Sequence, residues 1–190
     1  MITFTDHIPG VNGITDASDM FAKRWGESTG QKVTLERTLR AYELRQVISP
    51  RIPGGTFRVA SKKESEVIIN LYRAMHDEIM GESEPMPSIT SILKLIDQGR
   101  VYTWDNGGKL VTMAIKGRAT SHGMTVSGVY TLPEERRKGY ASACVALLSQ
   151  EILDEGCEFV NLFTDLANPT SNAIYQAIGY HPLCDFHKYS

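Results

Sequence analysis

Arg136-Arg137-Lys138-Gly139-Tyr140-Ala141 stands between a strand-like run and a helix-like run. Gly139 lets the backbone approach a ligand closely. The free N–H groups of the turn and of the helix start then form a cradle for phosphate. Ala141 is small enough for the helix to begin beside it, and Arg136 and Lys138 add positive charge near a dianion. The same three cations, Arg136, Arg137 and Lys138, also fit a solvated charge run. A second constellation follows in Asn168-Pro169-Thr170-Ser171-Asn172-Ala173-Ile174-Tyr175. It puts Asn168, Asn172 and Tyr175 at helical spacing around the start of a short helix. A phenol with an ordinary pKa of about 10 can serve as a proton donor, although tyrosines are also common in cores. Asn168 before Pro169 is equally a plain helix N-cap.

Several elements must position these groups. Met124 to Leu132 reads as the strand before the cradle, and Gly139 to Glu155 as the helix after it, ended by Gly156. Phe159 to Thr164 is a strand, Pro169 to Ile178 a helix, and Tyr180 to Tyr189 a last strand. Upstream, Thr56 to Ala60 is a strand. Ser65 to Met80 is a helix with Val67, Ile68, Leu71, Tyr72 and Met75 on one face. Ser88 caps a short helix that Gly99 ends. Val101 to Trp104 and Leu110 to Gly117 form a hairpin across Asp105-Asn106-Gly107-Gly108. The first fifty residues differ. Ala17, Met20, Phe21 and Trp25 predict a helix with Thr15 or Asp16 as its N-cap and Gly26 or Gly30 near its end. Lys32 to Ile48 fits neither period cleanly, and part of it reads as a strand. Pro50, Pro53, Gly54 and Gly55 look like a linker. We therefore expect an N-terminal accessory segment, residues 1–50, docked on a main domain of residues 56–190, because fifty residues bury little core of their own.

The chain has 190 residues, 42% hydrophobic and 22% charged, with a formal net charge of -2. That is the composition of a globular protein, and it gives no electrostatic reason to expect nucleic acid or an anionic membrane as partner. No apolar run approaches the roughly 20 residues of a membrane span, and the first ten residues lack the basic and apolar regions of a secretory signal. Cys144, Cys157 and Cys184 are odd in number and widely spaced. Reduced thiols in a cytoplasm are the expectation, with neither a disulfide framework nor a metal site.

The two motifs together, R-x-x-G-x-A and N-P-x-x-N-A-x-x-Y-x-x-x-G-Y, resemble the signatures of the GNAT superfamily of N-acyltransferases. The element order β-α-α-β-β-β-α-β-α-β from Thr56 onward resembles that family too. The resemblance implies an α/β (α+β) fold with a mixed, mostly antiparallel sheet, splayed between two central strands and with helices on both faces. It implies acetyl-CoA as co-substrate and no metal. Val129, Tyr130 and Thr131 would lie along the pantetheine arm, with an N–H near Tyr130 or Thr131 polarising the thioester carbonyl. Arg136, Arg137, Lys138, Gly139, Tyr140 and Ala141 would hold the pyrophosphate, and Asn168, Asn172 and Tyr175 would complete the cofactor site, with Tyr175 as the acid. Family members often have Gly where this chain has Arg137. Residues 1–50 lie outside the resemblance and look like the remnant of a preceding, degenerate GNAT-like half.

The implied reaction is transfer of an acetyl group to a primary amine by direct attack, in a monomer or a homodimer that needs neither nucleic acid nor membrane. The general base stays open among His122, Asp165 and ordered water, since the strand before the cradle carries no carboxylate. The acceptor is expected between the first two helices and the hairpin. Asp77, Glu78, Glu82 and Glu84 there would favour a cationic amine, and they also fit a solvated acidic loop. The rivals are a non-catalytic acyl-CoA-binding or interaction module, and covalent catalysis through a cysteine.

Overall fold

The computed structural model describes residues 8–79 and 85–190. Among them one eight-stranded sheet runs in the order β1-β8-β2-β7-β6-β5-β4-β3. The strands are β1 (Val11–Ile14), β2 (Leu35–Leu44), β3 (Thr56–Val59), β4 (Val101–Asn106), β5 (Lys109–Ala119), β6 (Gly123–Thr131), β7 (Phe159–Asp165) and β8 (His181–Tyr189). The helices are α1 (Thr15–Thr29), α2 (Ser65–Ile79), α3 (Ile89–Asp97), α4 (Tyr140–Asp154) and α5 (Pro169–Ala177). Every neighbouring pair of strands is antiparallel except β6 and β7.

Two cores lie on the two faces. Ile68 and Leu71 of α2 and Ile92 and Ile96 of α3 pack on Val101, Leu110, Met113, Ile115 and Tyr130. On the other face Cys144, Leu148 and Ile152 of α4 and Tyr175 of α5 pack with Tyr42, Leu44, Val126, Val160 and Leu162. Each such fully buried aliphatic side chain contributes about 1.5–3 kcal/mol. Gly107 and Gly108 carry the hairpin between β4 and β5 with φ of 64° and 88°. Both values belong to a two-residue turn that other side chains resist, and Asp105 Oδ1 accepts the Gly108 N–H at 2.7 Å.

The N-terminal fifty residues contribute more than a helix and a possible strand. β2 is an interior strand, paired along Leu39–Leu44 with β7 and along its length with β8. The sheet therefore crosses the boundary drawn at the linker. That linker is tied down, because Trp104 Nε1 donates to the Gly54 carbonyl at 3.0 Å. α1 begins at Thr15 with Ile14 at its N-cap and no side-chain cap, so neither Thr15 nor Asp16 fills that role. It runs through Gly26 and ends at Gly30, whose φ is 70° and whose N–H bonds the Gly26 carbonyl.

Candidate functional site

β6 and β7 pair only at Gly123 with Phe159, Met124 with Val160 and Thr125 with Asn161. Beyond that point they diverge. The cause is visible on both sides of the gap. β7 is held away by β2, which pairs with it as far as Asp165. β6 carries a bulge, where the register to β5 slips between Tyr130 and Ser127. Gly128 sits in the bulge with φ 58°, the geometry of a glycine bulge that bends and twists a strand. A Cβ there would also lie 2.5 Å from Ile115 Cδ1. The Leu132 N–H bonds Val111 of β5. Strand alternation then turns the N–H groups of Val129 and Thr131 toward the gap, and that of Tyr130 toward β5.

The chain leaves β6 through a 3-10 turn, Pro133–Glu135, and enters α4. Gly139, at the α4 N-cap, has φ 89° and gives no side-chain cap. The N–H groups of Tyr140, Ala141 and Ser142 therefore lack intrahelical partners and point out of the helix. A Cβ on Gly139 would find no heavy atom nearer than the Arg51 carbonyl at 3.9 Å. Gly139 is thus required for its conformation, and the space above it is open. Arg137 has φ 63° and is the one described non-glycine residue with positive φ. This left-handed position, costly for a side chain, is where the resembled family often has Gly.

The cations of the turn are arranged unevenly. Arg136 folds back from the cradle: its Nε donates to the Thr131 carbonyl at 3.1 Å, and Nη2 donates to Glu78 at 2.6 Å. Its guanidinium lies 5.5 Å from the Tyr130 ring centre. Glu78 beside it holds its pKa above the ordinary arginine value. Lys138 donates to Glu135 at 2.8 Å. The Arg136 side chain is thus taken up by Thr131 and Glu78, while the N–H groups at the start of α4 meet no side-chain cap.

On the β7 side, Asn168 caps α5, its Oδ1 accepting the Ser171 N–H at 3.0 Å. Asn172 is buried and bonded throughout. Its Oδ1 accepts from the Tyr42 hydroxyl at 2.8 Å, and its Nδ2 donates to the carbonyls of Asp165 and Asn168 at 2.9 and 2.7 Å. Tyr175 is 8% exposed and stands edge-on to Tyr180 at 6.0 Å. Burial pushes its phenol up to about 12. No hydrogen bond ties its hydroxyl to another described residue.

Of the two candidate bases, His122 is at the wrong end. It precedes β6, whose nine residues span about 30 Å at about 3.3 Å each, and the cradle follows the far end. Its Nδ1 lies 3.0 Å from Glu158 on the surface. Asp165 is at the right end of β7, but its Oδ2 lies 3.4 Å from Arg37 Nε and its Oδ1 accepts the Ala167 N–H. Cys144 is fully buried and burial pushes its thiol up to about 12, which leaves it no thiolate for a nucleophilic role. Asp77 and Glu78 belong to the last turn of α2, while Glu82 and Glu84 lie outside the described residues. His76, in the same turn, is a buried titratable group that sequence periodicity alone left unremarked. Among the described residues no cluster of His, Cys, Asp and Glu could hold a metal ion, and no helix is long and apolar enough to cross a membrane.

The family model of the GNAT acetyltransferases matches residues 68–180, more than half of the chain. The chain belongs to the GNAT acetyltransferase family. No curated protein matches it. Solved structures share the fold at low identity. A GCN5-related N-acetyltransferase from Sphaerobacter thermophilus superposes with a TM-score of 0.69 at 17% identity, over 95% of this chain and 58% of that one. A Drosophila protein gives 0.69 at 16%, over 95% and 59%. Ribosomal-protein-alanine N-acetyltransferase from Brucella melitensis gives 0.58 at 15%, over 70% and 97%. The chain spans about three fifths of the length of the first two.

Proposed function

We propose that this chain is an acetyl-CoA-dependent N-acetyltransferase that moves the acetyl group to a primary amine by direct attack in a ternary complex. The observation that carries the reading is the gap between β6 and β7, open beside the uncapped start of α4. The residues present fit the co-substrate. Tyr140, Ala141 and their neighbours offer N–H groups to a pyrophosphate. The edge of β6 at Val129 and Thr131 offers strand-like pairing to an extended amide arm, and an N–H there supports the carbonyl oxygen as charge grows on it. Holding the thioester and the amine together supplies much of the rate enhancement.

Tyr175 serves the leaving sulfur. A phenol pushed up to about 12 stays protonated at any working pH. It is a weaker acid than a thiol of about 8.5, so it stabilises the departing sulfur as a hydrogen-bond donor while the proton is replaced from the attacking nitrogen. Asn168 and Asn172 shape the start of α5 and set where Tyr175 stands.

One observation favours a second reading, a non-catalytic acyl-CoA-binding module: β6 carries no carboxylate to act as base. The decisive experiment measures thioester consumption from acetyl-CoA against a panel of primary amines, with calorimetric acetyl-CoA binding by the protein and by Gly139→Glu. Transfer to an amine, with binding lost in Gly139→Glu, is the expected result. Binding without transfer favours the module, and unchanged binding in Gly139→Glu removes the cradle.

A further inference from the structure

We propose that His76 is the general base that takes the proton from the acceptor amine; the inference rests on the N-acetyltransferase reading. His76 continues the buried stripe of α2, one turn after Tyr72 and two after Ile68, the spacing that turns a helix face toward the sheet. Its side chain is 9% exposed. Its Nε2 is buried with no hydrogen-bond partner. Buried polar atoms are rarely left so, and leaving one unpaired is destabilising. An unpaired ring nitrogen of this kind has a free lone pair to offer a partner that arrives with the substrate.

Two ties place this turn. Glu78 reaches Arg136, which follows β6. The Ile79 carbonyl accepts from Arg37 Nη2 at 2.8 Å, and Arg37 pairs with Asp165 at the end of β7. The last turn of α2 is thus fastened to both banks of the gap where β6 and β7 diverge. His76 lies in that turn on the sheet-facing side. Asp77 Oδ1 is 3.7 Å from its Nδ1; the other charged and titratable groups on the elements that meet this turn are Tyr72 and Glu78 of α2, Tyr130 of β6, Arg136 after it, Arg37 of β2 and Asp165 of β7. Among the carboxylates in these ties, Glu78 is paired with Arg136 and Asp165 with Arg37. Imidazole is also the side chain suited to taking a proton near neutral pH.

The protons balance as follows. Neutral His76 accepts one proton at Nε2 from the ammonium form of the acceptor. The freed nitrogen lone pair attacks the thioester carbon, and the C–S bond breaks. Tyr175 donates a hydrogen bond to the departing sulfur, and its proton passes to that sulfur only as one from the new amide nitrogen replaces it. The products are the amide and the free thiol, and His76 returns its proton to water.

The test uses the full chain, with His76→Gln and His76→Ala. In the wild type, kcat falls on the acid side as the base becomes protonated. Both variants are expected to lose about 10²–10⁴ in kcat and that acid limb, while calorimetric affinity for acetyl-CoA stays within a few-fold. Added imidazole is expected to restore at least tenfold of the His76→Ala rate. A histidine confined to packing predicts loss of affinity or melting temperature with the acid limb intact, and that pattern, or a variant within tenfold of wild type, overturns the inference alone. A wild-type protein that binds acetyl-CoA and transfers to no amine overturns the functional reading beneath it.

Discussion

The Tyr42 hydroxyl donates a 2.8 Å hydrogen bond to Asn172 Oδ1, joining β2 to the helix that carries Tyr175. Tyr42 is fully buried and Asn172 nearly so. The partners are 130 residues apart in sequence. Gln176 Nε2 adds a donor to the same hydroxyl at 3.2 Å. β2 therefore sets the position of the start of α5, and its pairing with β7 holds that strand away from β6.

Tyr42→Phe leaves Asn172 Oδ1 buried without that partner. The cost of an orphaned buried acceptor is about 1–3 kcal/mol. Urea denaturation should show a midpoint lowered accordingly with an unchanged slope. A variant as stable as the parent means the amide finds water in place of the phenol.

Tyr175→Phe keeps the ring and its edge contact with Tyr180 and removes the donor. Turnover should fall by about 10²–10⁴ with acetyl-CoA affinity nearly intact. The sign of the pH effect follows from the raised phenol: the protonated donor persists below about 12, so the contribution of Tyr175 should stay constant from pH 6 to 10. Stopped-flow thioester cleavage across that range checks both points. Equal single-turnover rates in the two proteins remove Tyr175 from the chemistry.

The part of the site that local sequence encodes was legible. Arg136-x-x-Gly139-x-Ala141 names its own turn, because Gly139 needs φ 89°, and Asn168-Pro169 names the start of α5. β2 is legible only in part, as a strand somewhere within Lys32 to Ile48, because its charges are satisfied by strands far away in sequence. Arg40 is bonded to Asp185, Arg37 pairs with Asp165 and Lys188 pairs with Glu36. Charged residues on both faces hid the period of two, although the strand lies inside the sheet. The bulge in β6 left a signal in Gly128, a glycine inside a strand pattern, and reading the stretch as a plain strand passed over it. His76 left none. A histidine on an apolar stripe looks the same whether its nitrogen is partnered or orphaned, and only packing distinguishes the two.

Arg137→Gly should stabilise the protein. A left-handed backbone costs a side chain about 1–2 kcal/mol. Glycine removes that strain but adds about 0.5–1 kcal/mol of unfolded-chain freedom, leaving a net gain of about 0.5–1 kcal/mol. In a chain of this size that corresponds to a rise of about 1–4 °C in melting temperature. A calorimetric scan decides it, and a lowered melting temperature means the Arg137 side chain makes a contact worth more than the strain.

The acidic groups near the end of α2 give the last prediction. Glu78 is paired with Arg136 at 2.6 Å, so its charge is largely offset, whereas Asp77 has a side chain 71% exposed. Exposed carboxylates attract a cationic acceptor over about one Debye length, 8–10 Å near physiological ionic strength, and raise its capture rate. Positively charged amines are therefore expected over neutral or acidic amino acids. Asp77→Asn should raise the acceptor KM modestly, and neutralising Asp77, Glu78, Glu82 and Glu84 together should raise it further and flatten its dependence on salt. Glu78→Gln alone should also act on acetyl-CoA, because it frees the Arg136 guanidinium beside the cradle. Steady-state kinetics at 20 and 200 mM salt, roughly a threefold change in screening length, separates the two effects. A preference for an acidic acceptor, or a KM untouched by all four changes, means this surface is solvated and takes no part in choosing the amine.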